Sequence, residues 1–272
     1  MKHAIKWLII FTFISLTMTA FAAPKSELIP QWQKSDETNS ATIDHSPWQA
    51  ILDNFVSASS NGINLVDYKS LQTNSSSLKS YVDQLEAIDP RQFKLDEQFA
   101  YWVNLYNAAT VQLIIENYPV SSITKIKSGL FSFGPWEKKW IEVAGETLSL
   151  NDIEHGILRP IWNDERIHYA VNCASIGCPS LAKQAFSSDN SERLLEEAAK
   201  AYINHPRGVT IEKGKLQLSS IFDWYKVDFE QNDSTLINHL TQYANPELKS
   251  QLLALDNDKF DHDYDWSLNE LK

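Results

Sequence analysis

F-A-Y-W-V-N-L-Y-N-A-A-T-V-Q-L-I-I, Phe99 to Ile115, is the stretch whose reading decides the fold. Its apolar residues fall on every side of a helical wheel, and a helix of that kind belongs inside a protein. The pattern runs from about Leu95 to Tyr118, with Asp96 as the expected cap and Pro119 as the stop. Asn104 and Asn107 interrupt it, three apart on one face. A buried amide without a partner costs about 1 to 3 kcal/mol, so both need partners, either neighbouring backbone or a ligand.

Outward from this helix, the chain supplies cover. Towards the N-terminus, Trp48, Ile51, Leu52 and Phe55 follow Ser46-Pro47 at helical spacing, and Leu78, Val82, Leu85 and Ile88 mark another helix. Towards the C-terminus, W-I-E-V and E-T-L-S-L flank Ala144-Gly145 as a hairpin. Asn151 to Glu154 reads as a capping box opening a short helix that ends near Pro160. Arg166 to Cys173 alternates as a strand, with His168, Ala170 and Asn172 on one face. A helix over Ser191–Ile203, a second hairpin around Lys213-Gly214, and helices over 234–243 and 246–255 complete the pattern. Hairpins separated by helices, without regular strand-helix alternation, predict an α+β fold with helices packed on a small antiparallel sheet in a single domain.

The first residues add a different signal. Lys2 and Lys6 precede an apolar run from Trp7 to Met18, and Ala20-Phe21-Ala22 follows, the order of a secretory signal cleaved after Ala22. The run is shorter than the roughly 20 residues that span hydrocarbon, so the expected product is soluble, periplasmic or secreted, with no membrane segment after cleavage. Residues 23–47 are polar and lack a hydrophobic period, which predicts a flexible lead-in, followed by a helical part over 48–94 and the main domain over 95–272. The formal net charge is −11, and a leader carrying two lysines and no acid leaves the mature chain more negative still. Nucleic acid is excluded as a partner, since an acidic surface repels phosphates and no run of basic residues offsets it.

Both cysteines, a histidine, an asparagine and a serine gather in one segment, I-H-Y-A-V-N-C-A-S-I-G-C-P-S-L, Ile167 to Leu181. Five ordered motifs then resemble the family called domain of unknown function 547: W-V-N-L-Y-N-A, L-N-D-I-E-H-G-I-L-R, this cysteine segment, D-W-Y-K-V-D-F and Y-D-W-S-L-N. The resemblance runs from about Leu95 to the C-terminus and carries no established activity. It draws emphasis to Asn104, Tyr106, Asn107, His155, Arg159, His168, Asn172, Cys173, Ser175, Cys178 and Pro179. A looser analogy is to papain-like and transglutaminase-like enzymes, which place a cysteine at the start of a buried helix and a histidine on a later strand. Here the helix carries Asn104 instead.

Three chemistries compete for these residues. In the first, a histidine lowers the pKa of a cysteine that attacks an acyl group, as in a hydrolase or transferase. The catalytic candidates are Cys178, Cys173, His168, His155 and Asn104, with Cys178 preferred because alternation turns Cys173 towards the core. Asn107, Asn172, Ser175 and Arg159 are binding candidates. In the second, Cys173, Cys178, His155 and His168 hold a structural zinc, although no zinc spacing is reproduced; no cofactor is otherwise expected. In the third, Cys173 and Cys178 form a disulfide that pins a loop of a non-enzymatic envelope module, whose Trp136, Trp140, Trp224, Tyr225 and Trp266 stack on a small molecule or peptide. C-A-S-I-G approaches the serine-hydrolase elbow around Ser175, but Cys178-Pro179 spoils the strand-turn-helix context. The substrate and the oligomeric state are not encoded in these patterns.

Overall fold

The structure is a computed structural model, and it describes residues 24–127, 129, 132–230, 235–255 and 260–272. The leader expected over residues 1–22 lies outside the described residues. Among those described, no helix is long and apolar enough to cross a membrane.

Four helices build the first half: α1 (Ser46–Phe55), α2 (Tyr68–Thr73), α3 (Ser75–Glu86) and α4 (Leu95–Glu116). Helix α4 is buried on nearly its whole circumference, as its composition requires. Its cap is Lys94, not Asp96, whose carboxylate instead accepts the Glu97 N–H at 2.9 Å from inside the first turn. Strands β1 (Val56–Ala58) and β2 (Asn64–Val66) form one antiparallel pair, and β3 (Ile141–Val143) and β4 (Glu146–Leu148) form the first predicted hairpin. After short helices α5 (Arg159–Trp162) and α6 (Ile167–Ala170), α7 (Ser191–Ile203) leads to the second predicted hairpin, β5 (Val209–Glu212) and β6 (Lys215–Ser219). Helices α8 (Ile221–Trp224), α9 (Lys226–Phe229), α10 (Leu236–Tyr243) and α11 (Pro246–Leu253) follow, and β7 (Asp261–Asp263) joins β6 in parallel. The fold is α+β, with its strands divided among small, mainly antiparallel sheets.

Two hydrophobic cores result. One surrounds α4, and the other gathers Ala199, Tyr202 and Ile203 of α7 with β5, β6 and residues from Phe222 to Leu252. The segment read as a strand lies at their seam and is the helical turn α6. Ile167, Ala170 and Val171 face the first core, while Tyr169 enters the second. Spacings of three and four residues put the first three on one helical face, and a short apolar run satisfies that period as readily as a strand's.

The polar stretch before α1, read as a flexible lead-in, is also packed. Trp32 is wholly buried and meets Trp102 edge-on at 5.1 Å, and the Ile43 N–H donates to Glu97 at 2.7 Å. Single anchors such as these have no period for a sequence pattern to reveal.

Candidate functional site

The segment from Ser149 to Arg159 sets the site. The reciprocal cap pairs Ser149 with Asp152: the Ser149 N–H donates to Asp152 Oδ2 at 2.7 Å, and the Asp152 N–H donates to Ser149 Oγ at 3.1 Å. Glu154, expected to close the capping box, is thereby free to point elsewhere. Residues Asp152–Leu158 form a π-helix, a wide turn that recurs at functional sites. The N-terminal segment covers it through Glu27 N–H to His155 O at 3.0 Å and Ile29 N–H to Gly156 O at 2.9 Å. A Cβ on Gly156 would stand 2.5 Å from the end of the Ile29 side chain, which would have to turn aside.

Glu154, His155 and Arg159 meet His168 and Asp228 in a buried ionic network. Asp228 Oδ2 accepts from Arg159 Nε and from His168 Nε2, both at 2.7 Å. His168 Nδ1 faces Glu154 Oε1 at 3.7 Å, and the Tyr106 hydroxyl donates to the other Glu154 oxygen at 3.0 Å. Tyr225 stacks on His168 with ring centroids 3.8 Å apart, and the Arg159 guanidinium lies 5.2 Å from the Tyr225 centroid. Arg159 also donates to the Pro24 carbonyl at 2.9 Å and to His155 Nδ1 at 3.1 Å. A guanidinium only donates, so His155 Nδ1 accepts and the neutral ring carries its proton on Nε2.

Burial pushes the His155 pKa down to about 4 against the pull of Glu154. Burial alone would raise Glu154, but His155, His168 and Arg159 outweigh it and hold the carboxyl at about 2. The two values agree, because Glu154 loses its proton in a range where His155 still holds one. Asp228 likewise overcomes its partial burial through His168 and Arg159 and is held at about 2.

The cysteine loop forms the second part. Both cysteines are free; Cys178 is buried and Cys173 half-buried. The Cys173 sulfur lies 3.0 Å from the Tyr264 hydroxyl and 3.3 Å from Ser175 Oγ, and the Cys173 N–H donates to Cys178 Sγ at 3.1 Å. Burial disfavours a Cys173 thiolate, yet hydrogen bonds from Cys178, Ser175 and Tyr264 outweigh it and lower this thiol below its ordinary pKa. Burial and the adjacent Cys173 push Cys178 well up. The strand alternation that had turned Cys173 towards the core is replaced by a helical turn over Ile167–Ala170, and Cys173 and Cys178 both line the cavity described below. The loop bends at Ala174, whose φ is +57°. Gly177 serves close approach, since a Cβ there would stand 2.8 Å from the Asp265 nitrogen.

A cavity of about 440 Å³ connects the two parts, within the range of small-molecule sites. Glu154, His155, Cys173 and Cys178 line it, beneath walls from Trp136, Trp224, Tyr225, Tyr264 and Trp266. Arg159 and His168 stand behind this lining. The three asparagines hold backbone. Asn104 pairs with Phe186, donating to its carbonyl at 2.8 Å and accepting its N–H at 3.0 Å. Asn107 does the same for Ala170 O and Asn172 N, and Asn172 donates to Pro179 O at 2.7 Å and accepts the Ala174 N–H at 2.9 Å. Asn104 is not among the residues that line the cavity.

The zinc set does not fit. The hydrogen bonds of His155 and His168 go to Arg159 and Asp228, and among the described residues no group of three or more His, Cys, Asp or Glu side chains is arranged to hold a metal ion. Sequence reasoning named Tyr225 only as a stacking platform and missed Glu154, Asp228 and Tyr264 as site residues, although L-N-D-I-E-H-G-I-L-R, D-W-Y-K-V-D-F and Y-D-W-S-L-N contain one each.

Residues 90–203 match the family described as "Protein of unknown function, DUF547". The chain resembles the DUF547 family. That span holds the π-helix and both cysteines, while Asp228, Tyr225 and Tyr264 come from beyond it. No curated protein and no solved structure matches the chain.

Proposed function

We propose that this DUF547-like protein is exported and is a thiol-dependent hydrolase or acyl transferase whose nucleophile is Cys173. The observation that carries the reading is the Cys173 sulfur at the cavity, within 3.0 Å of Tyr264 and 3.3 Å of Ser175 hydroxyls that stabilise its thiolate. Export rests on the charged, apolar and A-x-A order of the first residues.

In this reading the thiolate attacks an acyl carbon, a carbon–sulfur bond forms, and the bond to the leaving group breaks with its electron pair. The leaving group takes a proton from solvent. Water or another acceptor then cleaves the thioester, releasing the acyl group and restoring the thiolate. His155, neutral and protonated on Nε2, donates a hydrogen bond to the developing oxyanion; one such donor is worth about 2.7 to 4 kcal/mol. Arg159 fixes its tautomer. His168 and Asp228 act through Arg159 and Tyr225 as positioning residues.

Alkylation with iodoacetamide across pH, with the modified residue found by mass spectrometry, tests this. Label is expected on Cys173, half-maximal below the pH of an ordinary thiol, and Tyr264→Phe should raise that midpoint by about one pH unit. Label that goes first to Cys178, or Cys173 labelling no faster than a free cysteine, removes Cys173 as the nucleophile.

A second reading is favoured by the proximity of the two thiols: a non-enzymatic binding module pinned by a Cys173–Cys178 bond. Protein isolated without reductant from its native compartment would then be two hydrogens lighter and refuse the label until reduced.

A further inference from the structure

We infer that the cavity accepts a ligand bearing an alkylammonium group, seated on its tryptophan wall between two carboxylates; resting on the thiol-site reading, this names the substrate class as an acyl compound carrying such a cation. The cavity lining has charged side chains of one sign. Glu154 lies at its buried end and Glu137 is exposed at its rim, and among the described residues neither lysine nor arginine lines it. Nearby cations are engaged elsewhere: the Arg159 guanidinium is committed to Asp228, Pro24 and His155 behind the Tyr225 ring, Lys127 donates to the Ser132 carbonyl at 2.9 Å, and Lys139 pairs with Asp152 at 3.6 Å.

The same lining holds an aromatic corner centred on Trp266. Its ring centroid is 4.6 Å from Tyr264, 5.6 Å from Trp224 and 5.7 Å from Trp136. Trp224 and Trp266 lie nearly parallel, at 26°, and Trp136 meets Trp266 at 61°. Half-buried tryptophans at these angles present π faces from more than one side, the arrangement that attracts a cation through the ring quadrupole. A neutral planar ligand without donors would use the same rings but would gain nothing from the charge of the two carboxylates. A carboxylate or phosphate ligand would be repelled by them. The wall also adjoins the reactive group, because the Tyr264 ring that packs on Trp266 places its hydroxyl on the Cys173 sulfur.

The test compares choline with 3,3-dimethyl-1-butanol, its neutral isostere of nearly the same shape, by tryptophan fluorescence titration of the full chain carrying Cys173→Ser. Binding is then read without thiol chemistry. Choline should bind at least tenfold more tightly than the alcohol, at constant ionic strength. Glu137→Gln, an exposed position that leaves the fold intact, should weaken choline severalfold and leave the alcohol unchanged; Trp224→Phe should also weaken choline. Equal affinity for the two probes, choline binding indifferent to Glu137→Gln, or no binding of either overturns the proposal. A protein that labels at Cys173 yet shows one of these outcomes loses the cationic ligand and keeps the thiol site. One that binds choline and labels no faster than a free cysteine keeps the ligand and loses the nucleophile.

Discussion

At the scale of single residues, Asp228 carries the heaviest load, because one carboxylate oxygen serves both Arg159 and His168. Removing its charge leaves a buried guanidinium without its counter-ion, a far larger penalty than the loss of an exposed pair. Asp228→Asn is therefore expected to cost about 3 kcal/mol in urea unfolding. A loss below about 1 kcal/mol, the range of surface pairs, would show that Arg159 does not depend on it. The histidines and the arginine of this network were legible as motif residues, but their partner was not. Asp228 lies 60 positions beyond His168, and only tertiary packing joins them. Glu154 was hidden for the opposite reason: a closer local role, capping, explained it equally well, until Ser149 and Asp152 took that role.

Among elements, the cysteine loop is held from outside by the C-terminal segment. Ile176 and Gly177 donate to the carbonyls of Ser267 and Asp265, both at 2.8 Å, and the Asn269 N–H returns to Ala174 O at 3.2 Å. Gly177→Ala would place a methyl 2.8 Å from the Asp265 nitrogen and 3.0 Å from the Tyr264 ring, so the C-terminal segment must shift. The expected result is a loss of about 1 to 3 kcal/mol, as for overpacking, together with slower Cys173 alkylation as Tyr264 moves off the sulfur. Unchanged stability and unchanged labelling would show that the contact yields freely. The long helix and both hairpins were legible because their signals are local: an all-round apolar run, and turn residues such as Gly145 and Gly214, whose φ values are +84° and +75°. Helix α6 was not. It sits where two cores meet, so its apolar residues serve two faces and imitate an alternation they do not have.

For the whole molecule, the buried titratable groups set a direction for pH. His45 and His155 are both pushed by burial to about 4 from an ordinary 6.5. Between those values the unfolded chain binds protons that the folded chain refuses, so their contribution is complete above about 6.5 and is lost as pH falls towards 4. Each is worth on the order of 3 kcal/mol. Glu154 and Asp228, held at about 2 against ordinary values of 4.5 and 3.8, continue the loss into stronger acid. The melting temperature should thus fall steadily on acidification below pH 6.5, and His155→Asn should flatten the upper part of that fall. An identical acid slope in the variant would remove His155 from the account. This behaviour was not legible in the sequence, which shows that histidines are present but not how deeply each is buried.

The N-terminal segment has a practical consequence. Pro24 lines the cavity and its carbonyl is held by Arg159, so anything joined ahead of it begins beside the cavity. A fluorophore, affinity handle or surface tether attached there would compete with the molecule it was meant to report on. Lys272 is exposed, and the preceding Leu271 is anchored by its N–H to Val66 O at 2.9 Å, which makes the opposite terminus the side from which to immobilise the protein for ligand screening.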